Sequence, residues 1–284
     1  MQTVSRQQSE TDRPQPLASL APEVAALPRS GRWHLAVRGR RLRIDASWPV
    51  TPAPVGGHPF ILILDGNAHF FTLVEAVRVQ ALRPGAECIE PVVIGLGYDT
   101  DEPFDLAQRE RDYTPPGHDA FLSAMAEELL PHFADLLSLD IRAGTLMGHS
   151  FGGLFVILAL LTRPGLFRSY VALSPSLWRG LQQVLDGENG GLSRLQPLEH
   201  PIDLMIAVGG LERAETRTGD PALDARLSVR RVAEEAEALA CRLGVLAPHQ
   251  LKVRFDLLEG ENHGTMLPAA ISRAVRFALH PPTA

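Results

Sequence analysis

Cysteine is scarce: the chain contains only Cys88 and Cys241, and no CxxC pair. That excludes a disulfide framework and a cysteine-built zinc site. Two buried thiols are expected, with a single bridge between them as the alternative. Long apolar runs are also missing. Nowhere do about 18 apolar residues follow one another, so no membrane-spanning helix is expected and no membrane partner is implied. Basic excess is absent too: 27 Lys and Arg stand against 33 Asp and Glu, a net charge of −6. Nucleic acid is therefore excluded as a partner class. The first thirty residues lack the basic start and apolar core of a secretory signal, which points to a cytoplasmic protein. No motif for a cofactor or a metal occurs, and none is expected.

What is present suits a globular protein. Hydrophobic residues make up 45% of 284 positions, enough for a full-sized core. Residues 1–30, rich in Gln, Ser, Pro and Ala, read as a mobile arm whose Leu17–Leu27 part folds back on the remainder. Residues 31–284 read as one catalytic domain. Arg32–Val37 and Arg41–Trp48 alternate around Gly39 like an antiparallel hairpin. Phe60–Leu64 is instead a continuous apolar run, the mark of a strand covered on both faces. Comparable runs recur at Pro91–Leu96, Thr145–Met147, Tyr170–Leu173, Leu204–Val208 and Val253–Leu258. Helical stretches fall between them at Phe70–Leu82, Ala120–Leu137 (capped by Asp119), Gly153–Thr162, Pro221–Leu243 and Pro268–Leu279. The pattern predicts an α/β fold: a mostly parallel sheet with a leading antiparallel hairpin and helices on both faces. Two long irregular stretches, Gly97–His118 and Ser174–Pro201, are loop insertions placed to rim a binding site.

Gly148-His149-Ser150-Phe151-Gly152 is a GxSxG motif, extended by Gly153. Its context gives it weight: a predicted strand ends just before it and an apolar helix starts just after. A nucleophile elbow needs that arrangement, with small neighbours around a strained serine. The serine hydroxyl needs a base. Of the 10 histidines, His263 follows the last predicted strand in Glu259-Gly260-Glu261-Asn262-His263-Gly264, where the α/β-hydrolase fold delivers its histidine. The acid should follow Leu204–Val208, which makes Glu212 the first candidate, with Glu215 and Asp220 behind it. The N–H of Phe151 and that of Gly66 or Asn67 would form an oxyanion hole. Asp65 would brace that loop.

These residues resemble a known group. Leu64-Asp65-Gly66-Asn67-Ala68, Gly97-Tyr98, Arg109-Glu110-Arg111-Asp112-Tyr113-Thr114-Pro115, Gly148–Gly153, Ser174-Pro175-Ser176-Leu177-Trp178 and Glu259–Gly264 are similar to motifs of the putative-esterase family of α/β-hydrolases. The match runs from about Trp33 to the C-terminus and comes nearest to the esterases that open trilactone catecholate siderophores such as enterobactin and bacillibactin. The resemblance implies that Ser150 and His263 are the catalytic pair. It places Arg109 at the pocket mouth in contact with substrate, and Trp178 as an aromatic wall. A salt bridge of Arg109 to Asp112 or Asp105, and core packing of Trp178, stay open as alternatives. Arg179 stands where many relatives carry a second aromatic, and some relatives work with a serine–histidine pair alone.

Arg109, Arg111, Trp178 and Arg179 suit a large, flat, anionic aromatic ligand. The implied partner is thus a small-molecule ester, free or as a ferric siderophore complex. The competing readings are a carboxylesterase, thioesterase or acyltransferase for simpler acyl groups, and a non-catalytic binding module; the intact elbow argues against the module.

Overall fold

The structure is a computed structural model that describes residues 25–82, 89–185, 200–246 and 249–279. Its centre is one eight-stranded sheet in the order β1-β2-β4-β3-β5-β6-β7-β8. The strands are β1 (Ser30–Val37), β2 (Arg40–Ser47), β3 (His58–Leu64), β4 (Val92–Tyr98), β5 (Leu139–His149), β6 (Ser169–Leu173), β7 (Ile202–Gly209) and β8 (Leu251–Leu258). β1 pairs antiparallel with β2, and β2 antiparallel with β4; every other pair is parallel.

The apolar runs are explained by which way alternate residues point. Ile61, Ile63, Val93, Met147, Val171 and Met205 face α1 (Gly66–Ala81) and α9 (Met266–Leu279). Phe60, Leu62, Ile94, Leu146, Tyr170 and Leu204 face the opposite layer, which includes α5 (Phe151–Thr162) and α8 (Val232–Leu246). A strand covered on both sides has no polar face to display. α5 is buried all round from Gly152 to Leu161, so it too lacks a polar stripe.

Several boundaries differ from the sequence expectation. The helix expected over 120–137 is α3 (His118–Ala124), a π turn at Met125–Leu129, and α4 (Leu130–Leu137). Gly117 rather than Asp119 precedes it, and Asp119 lies in its first turn. The helix expected over 221–243 breaks at Arg231, whose φ of 48° separates α7 (Pro221–Arg230) from α8. The 97–118 insertion contains α2 (Leu106–Tyr113), which Asp105 caps by accepting from Gln108 N–H at 3.0 Å. The 174–201 insertion carries a 3₁₀ turn at Leu177–Arg179 and α6 (Leu181–Leu185); residues 186–199 lie outside the described residues.

Residues 1–24 of the expected arm also lie outside the described residues. From residue 25 the chain is tied to the domain: Leu27 packs against the α1–α9 layer, and Trp48 N–H donates to Arg29 O at 3.1 Å. The expectation of a buried thiol is overturned for Cys241, which is exposed on α8. Cys88 lies outside the described residues.

Because β3, β5, β6, β7 and β8 are parallel neighbours, their C-terminal ends line one edge of the sheet. Open α/β sheets build their sites on that edge. Asp65, Ser150, Ser174, Glu212 and His263 all follow those strand ends.

Candidate active site

Ser150 sits between β5 and α5 with φ 60° and ψ −116°, a conformation that costs a non-glycine residue on the order of 1–3 kcal/mol. Its neighbours hold it there. Ser150 N–H donates to Leu173 O at 3.0 Å, and Ser150 O accepts from Leu154 N–H at 3.0 Å and Ser176 N–H at 3.1 Å. The flanking glycines are a steric requirement of the turn. A Cβ on Gly148 would lie 2.4 Å from Gly152 O, and one on Gly153 would lie 2.8 Å from Leu173 O.

His263 Nε2 lies 3.0 Å from Ser150 Oγ, and His263 Nδ1 lies 2.6 Å from Glu212 Oε2. The histidine loop is shaped by Asn262, whose side-chain oxygen accepts from Gly264 N–H at 2.8 Å and Thr265 N–H at 3.1 Å. Glu212 ends the short turn Gly210–Glu212 after β7 and is 2% exposed. Its Oε1 accepts from Gly209 N–H at 3.0 Å and from Ser174 Oγ. Of the three candidate acids only Glu212 reaches the histidine. Asp220 caps α7 by accepting from Ala222 N–H at 2.9 Å, and Glu215 is exposed.

The loop after β3 lies beside the elbow. Asp65 adopts φ 56°, and Ala68 and His69 N–H both donate to its carbonyl, which starts α1. Gly66 and Asn67 N–H precede those first intrahelical bonds, as Phe151 N–H does on α5, so none of the three has a partner within its own helix. A Cβ on Gly152 would meet Asp65 Oδ2 at 3.4 Å, so the two helix starts nearly touch. The Asn67 side chain is occupied elsewhere, donating to Tyr98 O at 3.1 Å and Thr100 O at 2.8 Å.

The expected place of Arg109 at the pocket mouth is corrected. Arg109 is 6% exposed, and its Nε and Nη2 donate to the two oxygens of Asp65 at 2.8 and 3.0 Å. Its guanidinium also lies over the rings of Phe104, Phe151 and Tyr113, at 5.0, 5.5 and 5.9 Å. Neither Asp112 nor Asp105 pairs with its guanidinium; Asp105 O only accepts the Arg109 backbone N–H, at 2.9 Å. Burial raises the Asp65 carboxyl pKa, and the charge of Arg109 opposes that rise. Two more histidines stand behind His263. The His149 ring centre lies 4.7 Å from that of His263, and the His69 ring centre lies 6.2 Å from that of His149. Burial, with the charge of Arg109 second, lowers His69 to about 4. Burial also drives His149 well below the usual imidazole range, helped by the charges of His263, His69 and Arg109. Both stay neutral near pH 7.

Next to the elbow lies a groove of about 990 Å³ whose walls include Arg111, Trp178, Arg179, Arg230, Leu239 and Arg242. None of Ser150, His263 and Glu212 lines it; the link is the aromatic pair Phe151 and Trp178, with ring centres 6.4 Å apart. Trp178 is 41% exposed, so it is a wall rather than core. The expected arginines are partly engaged. Arg111 grips Asp112 at 2.9 and 2.7 Å, and Arg179 pairs with Glu110 while lying 5.6 Å over the Trp178 ring.

Sequence reasoning missed Arg230, which stacks on Trp178 at 4.3 Å from α7. Burial, then the charges of Arg226 and Arg179, lowers its pKa. It also missed the hydroxyls of Ser174 and Ser176. For the serines the signal was the SPSLW motif itself; for Arg230 nothing local distinguishes it from other helix-surface arginines. Among the described residues no group of three or more His, Cys, Asp or Glu side chains is placed to hold a metal.

The family described as "Putative esterase" matches residues 39–233. The ferri-bacillibactin esterase BesA of Bacillus subtilis is 35% identical over 262 residues, covering 85% of this chain and 86% of that protein. The crystal structure of the BES protein from Bacillus cereus superposes with a TM-score of 0.80 at 29% identity, over 92% of this chain and 99% of that one. The enterobactin hydrolase IroE, in complex with DFP, gives a TM-score of 0.62 at 25% identity, over 88% of this chain and 95% of that one. Carrying an elbow serine, a histidine and a buried acid at the ends of its parallel strands, this chain belongs to the putative-esterase family of serine ester hydrolases.

Proposed function

We propose that this chain hydrolyses the ester bonds of a trilactone catecholate siderophore, free or as its ferric complex. Ser150 is the nucleophile, His263 the general base and Glu212 the acid that orients it. The observation that carries the reading is the unbroken relay from Glu212 Oε2 through His263 to Ser150 Oγ, with links of 2.6 and 3.0 Å. The named activities of the matched relatives, on bacillibactin and enterobactin, support the substrate class.

The chemistry follows from the relay. Nδ1–H held by Glu212 leaves Nε2 as the acceptor, so His263 takes the Ser150 proton as Oγ attacks the lactone carbonyl. The oxyanion is met by the N–H of Phe151 and that of Gly66 or Asn67, fixed in place before the reaction. Imidazolium Nε2 then gives its proton to the leaving alkoxide, and water resolves the acyl-enzyme by the same steps. The groove supports an anionic substrate because its walls supply cations and a flat ring. Arg230 on Trp178 offers a guanidinium whose face and edge suit a catecholate.

Incubating the protein with a trilactone siderophore, with and without iron, beside nitrophenyl esters tests the proposal. Ring-opened linear products are expected. No trilactone cleavage alongside brisk turnover of short acyl esters would replace it with the simple carboxylesterase reading.

A further inference from the structure

The Ser174-Pro175-Ser176 turn leaves β6 between the nucleophile and the acid, and sends one hydroxyl to each. Ser174 Oγ donates to Glu212 Oε1. Ser176 Oγ lies 3.3 Å from Ser150 Oγ, and Ser176 is 5% exposed. Its backbone N–H also donates to Ser150 O at 3.1 Å, which fixes the two residues relative to each other.

The direction of the hydroxyl contact follows from counting protons. A carboxylate only accepts, so Glu212 takes the Nδ1–H of His263. Neutral imidazole then offers Nε2 as an acceptor, and the single hydroxyl proton of Ser150 goes to it. Ser150 Oγ is left with lone pairs and no second proton, so Ser176 is the donor. The geometry points to Ser176 as a further catalytic residue: a hydroxyl donor to the nucleophile's own oxygen, acting mainly on deacylation. This rests on Ser150 as nucleophile.

The preference for deacylation is a matter of differential binding. In the acyl-enzyme Oγ is the alkoxy oxygen of an ester, a poor acceptor. Water then attacks the acyl carbon while His263 takes the water proton. The C–Oγ bond breaks, its electron pair stays on Oγ, and imidazolium Nε2 returns a proton there. As that pair accumulates on Oγ, the Ser176 hydrogen bond strengthens and the barrier falls. Acylation gains less, because its starting oxygen is a hydroxyl that already accepts the same bond. The resting separation of 3.3 Å is long for two hydroxyls and can shorten as charge grows.

Stopped-flow hydrolysis of p-nitrophenyl butyrate by the full chain, with intact-mass readout of the acyl adduct, tests this. In Ser176→Ala the steady-state rate is expected to fall about tenfold while the initial burst rate changes by less than about threefold. Acyl-Ser150 should accumulate, and Ser176→Thr, which keeps the donor, should restore the wild-type partition. Should the alanine variant fold poorly, Ser176→Cys, nearly isosteric and a weak donor, should show the same imbalance. Equal losses in burst and steady state, or no change in either, would overturn the role of Ser176. A wild-type enzyme that DFP does not label at Ser150 would instead remove the nucleophile assignment, and this inference with it.

Discussion

Arg109 and Asp65 form a buried, two-pronged ion pair beneath the loop that carries the Gly66 and Asn67 N–H groups. Asp65 opens α1 in a left-handed conformation, and Arg109 fixes its carboxylate from α2, so one insertion loop holds the oxyanion loop in shape. In the proposed mechanism the arginine therefore positions backbone donors.

Arg109→Ala should then lower turnover of anionic and neutral esters by the same factor. It should also destabilise the fold, since removing one partner of a buried pair costs about 3–5 kcal/mol. Added guanidinium should recover part of the lost kcat. Parallel assays on a trilactone and a nitrophenyl ester read this out; a loss confined to the anionic substrate would return Arg109 to a binding role.

Glu212→Gln should reduce kcat/KM by less than His263→Ala does, because the acid orients the imidazole and the imidazole moves the proton. Full activity in Glu212→Gln would show a serine–histidine pair working alone.

The neutral histidines predict acid sensitivity. An unfolded histidine titrates near 6.5, whereas His69 in the fold titrates at about 4. Between those values the unfolded chain binds a proton that the folded chain refuses, so stability falls as pH drops through this window. At pH 5 the loss from His69 is about 2 kcal/mol. Denaturant midpoints at pH 7 and pH 5 should separate in the wild type and draw closer in His69→Gln. An unchanged gap would show that other groups set the acid limit.

Arg230→Gln should raise KM for a ferric trilactone about three- to tenfold and leave a neutral nitrophenyl ester unaffected, as befits one partly exposed cation–π arginine. Salt should weaken the wild-type trilactone affinity and have less effect in the variant. A trilactone KM that is indifferent to both changes would detach the groove from substrate binding.

The sheet was legible because strands covered on both faces are written as unbroken apolar runs, and Phe60–Leu64 shows this plainly. Ser150 and His263 were legible because an elbow and a post-strand histidine have local signatures. Glu212 is legible only through strand order, since it follows the strand before the one that delivers the histidine. The break at Arg231 was hidden, since neither glycine nor proline marks it. α2 was hidden because its buried residues are Arg109, Asp112 and Tyr113, which leaves no apolar stripe to detect. The partner of Arg109 was unreadable for a different reason: Asp65 is 44 residues away, and only the tertiary packing of α2 beside the β3 end selects it over nearby Asp105 and Asp112.

The proposed function stands or falls with the attack of Ser150 on the trilactone. The direct measurement is to treat the protein with DFP, map the adduct by peptide mass, and follow trilactone opening in treated, untreated and Ser150→Ala protein. A single adduct on Ser150 is expected. Trilactone cleavage should be abolished in proportion to labelling, and the alanine variant should stay folded while losing several orders of magnitude in rate. Labelling at another residue, or trilactone opening that survives in Ser150→Ala, would contradict it.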